Sequence, residues 1–324
     1  MYRRGNPVAS RKAGLIVKMP KLSAENLILP YFIVEGSHKK EPVAHMPGVA
    51  RLSIDNLCKD VEEASRLGIN KILLFGVCPK RAKDKIGSYA YAKNNIVSQA
   101  IAELKVKIKG VSIITDVCLC VYTLSGHCGI LNQDNKIDNK KTLVALSKIA
   151  LAHAASGADW VAPSAMAKNE VLAIRKALDR NGFRDVKILG YSAKFFSNFY
   201  GPFRQAADST PKFGNRRAYQ LNYSDGTKAL QEIDSDIKEG ADMVMVKPAL
   251  CYLDIVRAAR LRFAQPLAAY NTSGEYALVK MGANNGLWQE KEVVLEIITS
   301  IKRAGADFII TYHAKDIAKW LKGI

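Results

Sequence analysis

Cysteine is scarce in this chain, with six residues in 324 at positions 58, 78, 118, 120, 128 and 251. That is too sparse for a disulfide framework, and a reducing compartment would keep them as thiols. Long apolar runs are missing too. No uninterrupted stretch approaches the ~18 residues that would cross a bilayer, and the N-terminal MYRRGNPVASRKAGLIVKMPKLS lacks a compact apolar segment followed by a small-residue cleavage site. A soluble cytoplasmic protein, with no membrane partner, is the expectation. Acidic residues are outnumbered, 30 Asp+Glu against 48 Lys+Arg, for a net charge of +18. The excess is spread along helical segments such as ELKVKIK, without a basic run interleaved with aromatics, a helix-turn-helix signal or a zinc-finger spacing. Solvated helix faces explain it, and nucleic acid is not an expected partner, although anionic substrates would gain from a positive field.

What is present is a regular alternation. Short β-rich apolar runs recur at LILPYFIVEG, KILLFGV, VSIITDVCL, DWVAPSA, VKILGYSAK, DMVMVKPAL, PLAAYNTSG and DFIITYH. Segments of helical period fall between them, from IDNLCKDVEEASRLG to the terminal KDIAKWLKGI. This is the pattern of a parallel sheet with crossover helices. Gly-Ala-Asp stands at 157–159, 240–242 and 305–307, each time between a helical pattern and a strand, with glycine as the helix stop. Eight β–α units predict an α/β fold, a (β/α)8 TIM barrel over residues 26–324 with an N-terminal arm over 1–25. An open doubly wound sheet competes, but no G-x-G-x-x-G follows the first strand. STPKFGNRRAYQLNYSDGT, after the fifth strand, is a long polar insertion of the kind that serves barrels as a lid.

In a barrel, chemistry belongs at the C-terminal ends of the strands. Lys194 closes LGYSAK and Lys247 closes MVMVKP. A lysine behind an apolar strand is desolvated and a second ammonium disfavours its protonation further, which frees the amine as a Schiff-base nucleophile. One such lysine is more ordinarily half of a salt bridge. Two on consecutive strands, expected to face each other across a pocket, favour the catalytic reading. TDVCLCVYTLSGHCGIL brings Cys118, Cys120 and Cys128 to the end of the third strand, where three thiolates and an open position make a plausible catalytic zinc shell. The spacing is not that of a zinc finger, and three buried, unrelated thiols remain the competing reading. His127 is a candidate fourth ligand or a donor behind the ligands. Asp116, Ser164, Arg204, Arg216, Tyr270, Ser273 and Tyr312 cluster at the remaining strand ends, the arginines suited to bidentate grip of a carboxylate.

TDVCLCVYTLSGHCGIL, GYSAKFFSNFYGPFRQAADS, NRRAYQL, GADMVMVKPALCYLDIVR and YNTSGEYALVK together resemble the porphobilinogen synthase (5-aminolevulinate dehydratase) family, zinc-dependent branch. The resemblance runs from ILPYFIVEG nearly to the C-terminus. It implies a lyase of heme and tetrapyrrole biosynthesis that condenses two 5-aminolevulinate molecules into porphobilinogen. It further implies a homo-octamer assembled through the arm and zinc on Cys118, Cys120 and Cys128; whether an allosteric Mg2+ ion also binds is a question the sequence leaves open. Lys247 then corresponds to the lysine of the first, P-side substrate and Lys194 to that of the second, A-side substrate. Arg204, Arg216 and Gln220 would hold the A-side carboxylate, Ser273 and Tyr312 the P-side one. Phe199 and Phe203 would wall the pocket, and Asp116, Ser164 and Tyr270 line it.

The chain departs from the family where APSDMMDGR is usual and it reads APSAMAKNE. Acidic residues become Ala165 and Lys168, and a Gly-Arg pair becomes Asn169-Glu170. Val121 replaces a usual proline, Leu124-Ser125 a usual Ser-His, and Asn271 a glutamine or histidine. A diverged member with altered substrate or low activity, and a catalytically silent protein kept for binding or assembly, are the alternatives these changes raise.

Overall fold

A computed structural model describes residues 21–324. Residues 1–20 of the expected arm lie outside the described residues. Its last part forms a single 3-10 turn, Ala24–Asn26, directly before the first strand.

Strand β1 (Leu27–Ile33) is followed by a small antiparallel hairpin of β2 (Lys40–Pro42) and β3 (Ala50–Leu52), then by α1 (Ile54–Arg66) and β4 (Lys71–Gly76). The chain continues through α2 (Ile96–Lys107), β5 (Ser112–Val117), α3 (Asn139–Ala155), β6 (Trp160–Pro163), α4 (Glu170–Arg180) and β7 (Lys187–Lys194). The second half runs through α5 (Gly201–Ala206), α6 (Gly226–Glu239), β8 (Met243–Lys247), α7 (Leu253–Arg262), β9 (Leu267–Asn271), α8 (Ser273–Asn284), α9 (Glu290–Ala304), β10 (Phe308–Thr311) and α10 (Ala314–Leu321). Setting the hairpin aside, eight parallel strands pair in chain order, and β10 closes on β1 with Leu27 opposite Ile309 and Ile28 opposite Ile310. This is the expected (β/α)8 barrel. The eight apolar runs are its eight strands. They are covered on both faces, so β1 is buried throughout and reads as continuous rather than alternating hydrophobicity.

The Gly-Ala-Asp repeat has one physical job in all three places. Gly157, Gly240 and Gly305 take left-handed φ values of 99°, 104° and 129°, which only glycine adopts without strain. The following alanine N–H reaches back to a carbonyl of the last helical turn, on His153, Asp236 and Ile301 respectively, completing a Schellman cap. The aspartate then accepts a backbone N–H of a neighbouring strand. Asp159 takes Ile113 at 2.7 Å, Asp242 takes Ile188 at 2.8 Å and Asp307 takes Leu267 at 2.8 Å. Helix stop, buried spacer and strand clamp are thus built into three residues at the N-terminal rim, which leaves the opposite rim free for chemistry.

Two helices were not expected. The short α5 carries Pro202 in its first turn, and α8 occupies SGEYALVKMGAN, where the sequence reads as the tail of a strand. Thr272-Ser-Gly-Glu275 has the form of a capping box, and Glu275 does accept the Thr272 N–H. Gly274 hides this helix because it lowers helical propensity. It is required, since a Cβ there would lie 2.6 Å from Phe199 Cα. That close approach seats the start of α8, and with it Ser273, against the segment carrying Phe199.

Candidate active site

At the C-terminal rim, Lys194 and Lys247 are register partners on adjacent strands β7 and β8, side by side rather than across a pocket. Both are buried, 6% and 5% exposed. The Lys247 Nζ sits 4.0 Å from the Tyr270 ring centroid and within 5.1–5.2 Å of the rings of Tyr191, Tyr200 and Phe203. Desolvation in this aromatic cage, with the Lys194 ammonium beside it, brings its pKa down to about 7 against the opposing pull of Asp116. Lys194 donates instead to the Ser164 carbonyl, and the Ser164 hydroxyl donates to Asp116 at 2.7 Å. Burial raises Asp116 to about 6, held back by that hydrogen bond and by the two lysines. The two amines therefore differ in setting: Lys194 has an oxygen partner, and Lys247 is caged by rings.

Cys118, Cys120 and Cys128 stand in the loop after β5, all fully buried, with their sulfurs within 4.8 Å of one another. Cys118 Sγ and Cys120 Sγ are 3.5 Å apart, far beyond the ~2.05 Å of a disulfide bond. Cys118 and Cys120 hydrogen-bond toward Cys128, and Arg216 adds to the effect, so Cys128 is pulled well below the ordinary thiol range while Cys118 is pushed well above it. Three converging thiols, one already favoured as thiolate, form a donor set that fits a tetrahedral zinc ion with a position left open. His127 is not among them. Its Nε2 lies 3.1 Å from the Phe213 carbonyl, which can only accept, so Nε2 carries the hydrogen and Nδ1 accepts from the Tyr219 hydroxyl at 3.1 Å. Tyr219 in turn accepts the Cys128 N–H at 3.4 Å. Of the two roles expected for His127, a ligand or a donor behind the ligands, the geometry favours the second, because both its ring nitrogens are engaged elsewhere and brace the loop.

The insertion over residues 209–227 lies on that loop. Lys212 N–H donates to the Ser125 carbonyl, and Arg216 donates to the carbonyls of Gly126 and Ser209. Arg216 Nε, Arg204 Nε and both amide atoms of Gln220 are buried without a partner among the described residues. Unpaired buried donors are costly, and the neighbouring Arg204 and Arg216 guanidiniums are suited to an anion. Ser273 is more settled: it donates to Phe199 O at 3.3 Å and accepts Phe203 N–H at 3.0 Å, while the Tyr270 and Tyr312 hydroxyls lie 3.2 Å apart. Phe203 packs edge-on against Phe75, at 5.0 Å.

Tyr191 escaped the sequence reading. It is buried with an unpartnered hydroxyl, and its ring underlies both lysines, at 5.5 Å from Lys194 and 5.1 Å from Lys247. A register shift between Gly190 and Ala193 breaks the two-residue alternation of β7, so counting from Lys194 points away from Tyr191.

A cavity of about 790 Å³ opens beside this centre, between Cys128, Tyr191, Gln220 and the altered 165–170 loop. In that loop Met166 and Asn169 both take left-handed φ, 61° and 65°. Asparagine tolerates that conformation better than most side-chain-bearing residues, which suits the position where glycine is usual. The Glu170 carboxylate turns back on its own loop, accepting Met166 N–H at 3.1 Å and Ala167 N–H at 3.3 Å. Burial, with Asp236 nearby, raises it to about 8. Unfolded, a glutamate ionises near 4.5, so the folded state holds more protons between these values, and stability falls as pH rises through the window. Glu170→Gln is expected to remove a pH-dependent loss of roughly 3–5 kcal/mol between pH 5 and 9. Denaturant melts of both proteins at the two pH values measure it.

The delta-aminolevulinic acid dehydratase family model matches residues 4–320. The chain belongs to the delta-aminolevulinic acid dehydratase family. Delta-aminolevulinic acid dehydratases from Archaeoglobus fulgidus and Bacillus subtilis are each 48% identical to it, over 96% and 94% of both chains respectively. The crystal structure of the delta-aminolevulinic acid dehydratase (porphobilinogen synthase) of Toxoplasma gondii ME49, in complex with its reaction product porphobilinogen, superposes with a TM-score of 0.93 at 40% identity, covering 95% of this chain and 88% of that one. Family membership extends to the fold throughout, and no described helix is long and apolar enough to cross a membrane.

Proposed function

We propose that this chain condenses two molecules of 5-aminolevulinate into porphobilinogen with loss of water, as a lyase of tetrapyrrole biosynthesis. The observation that carries the reading is the pair of buried, register-matched lysines on β7 and β8, set among aromatic rings beside three converging thiols. Near-full-length identity to delta-aminolevulinic acid dehydratases supports it.

Lys247, with its pKa near 7, is the nucleophile. Its free amine attacks the ketone carbon of the P-side molecule, and loss of water leaves a carbon–nitrogen double bond to the enzyme. That iminium acidifies the adjacent carbon, which can then attack the carbonyl of the A-side molecule, while Lys194 serves the A-side ketone. We assign Asp116, joined to Ser164 and neighbouring both lysines, the proton exchange with the substrates. Arg204, Arg216 and Gln220 hold the A-side carboxylate with the donors now unpaired, and Ser273 and Tyr312 hold the other. Phe199 and Phe203 wall the pocket, and the two grips supply the orientation on which a bimolecular condensation depends. Cys118, Cys120 and Cys128 would hold zinc, which when bound supplies Lewis acidity toward the A-side carbonyl. We place the enzyme in the cytoplasm as a homo-octamer built through its arm, on the strength of the family resemblance.

The altered loop favours a working enzyme over a silent one. Glu170 satisfies its own loop, and Ser164 still links Lys194 to Asp116. Incubating the purified protein with 5-aminolevulinate tests the reading: porphobilinogen should accumulate. A folded, zinc-supplemented protein that makes none would reduce the assignment to ancestry.

A further inference from the structure

A second group of donors lies apart from the thiols, where β10 passes into α10. His313 directly follows Tyr312 and is only 2% exposed, yet neither of its ring nitrogens has a hydrogen-bond partner among the described residues. A buried imidazole left unpaired costs about 1–3 kcal/mol and calls for a water or an ion. Its Nδ1 lies 4.0 Å from Glu290 Oε1 at the start of α9, and Asp316 in the first turn of α10 completes a set whose donor atoms fall within 4.8 Å of one another. One cation is already there. Lys280 places its ammonium 2.5 Å from Glu290 and 3.5 Å from Asp316. Two carboxylates against one ammonium leave a net negative charge; the lysine, having no acceptor to offer, cannot satisfy the imidazole N–H, and its ammonium makes no hydrogen bond to the imidazole lone pair.

We propose that Glu290, His313 and Asp316 form a second divalent-cation site, of the imidazole–carboxylate type that suits nickel or zinc, which the Lys280 ammonium occupies until an ion displaces it. The donor types fit: one neutral imidazole and two carboxylates bind borderline metals through nitrogen and oxygen at about 2.0–2.2 Å. Ligands around such an ion sit roughly 3–3.5 Å apart, so the side chains must close by about 1 Å once Lys280 swings out, which rotation about flexible Glu and Asp bonds permits. Lys280 has a route away, being a long side chain 15% exposed. An ion held here ties the start of α9 to the end of β10, one residue from Tyr312. The site shares no residue with Cys118, Cys120 and Cys128.

Nickel binding to the untagged full chain, stripped of metal beforehand, tests this by equilibrium dialysis with metal analysis. The thiols contribute equally to every protein compared, so the readout is the difference between variants. His313→Phe and Glu290→Gln should each bind one nickel ion fewer per chain than the wild type at saturation. Lys280→Met, which removes the competing charge and keeps all three donors, should bind that ion at least tenfold more tightly. Thermal melts identify which variants are folded, and the lysine variant stands as an independent arm should either donor variant misfold. Unchanged stoichiometry in the folded donor variants, or no tightening in Lys280→Met, would overturn the proposal and leave the group a salt bridge beside a neutral histidine.

Discussion

Lys247→Met is expected to lower turnover at least about 10³-fold, the scale of loss when a covalent nucleophile is removed. Lys247 is buried among Tyr191, Tyr200, Phe203 and Tyr270, and its neighbour in register is another amine. Lowered to about 7, it is largely free amine at pH 8 and largely ammonium at pH 6, so wild-type activity at limiting substrate should fall as pH drops through 7. Its effect on stability has the opposite cost. The unfolded lysine keeps its proton to about 10.5 whereas the folded one loses it near 7, so the unfolded state binds more protons in between and stability rises with pH across that window. Methionine, of similar length and without charge, should erase that rise and make the protein firmer at pH 6. Steady-state kinetics with denaturant melts check both halves. A variant with near-wild-type turnover would remove Lys247 from the chemistry, and one that is inactive but destabilised at pH 6 would point to a structural role.

The second large effect is expected at the thiols. Cys128→Ser should lower bound zinc by one ion per chain, and turnover with it by at least about 10²-fold. Cys128 is the member favoured as thiolate by its two sulfur neighbours and Arg216, so its loss removes the thiol that ionises most readily as well as a third of the set. Serine is close in size, and the buried pocket and the Tyr219–His127 brace should survive, keeping the thermal midpoint within a few degrees. Metal analysis beside activity separates the possibilities. Retained zinc and retained activity would mean that the three sulfurs are merely neighbours in a core.

Much of this architecture was legible in the sequence because it rests on repeated local rules. Eight apolar runs separated by helical periods leave few alternatives to a closed parallel barrel, and Gly-Ala-Asp announces the helix stops through a conformation only glycine accepts cheaply. Lys194, Lys247 and the cysteines were visible because they sit at the ends of strands, where side chains of that chemistry have no packing reason to be. What stayed hidden depended on contacts distant in sequence. Gly274 masks α8, and its reason is Phe199, 75 residues earlier. Tyr191 is turned inward by a bulge that alternation cannot anticipate. Adjoining Cys128, His127 read as either a ligand or a donor behind the ligands, and only Phe213 and Tyr219, on the insertion, show where its nitrogens are spent. The self-contained Glu170 loop was equally invisible, since its meaning lies in two of its own backbone amides.

The most direct test of the central claim is to reduce the protein with borohydride in the presence of 5-aminolevulinate and map the modified peptide by mass spectrometry. The arrangement described predicts a single dominant adduct on Lys247, formed more readily at pH 8 than at pH 6 and absent from Lys247→Met. An adduct spread over surface lysines, or none on Lys247 in folded, metal-supplemented protein, would contradict it.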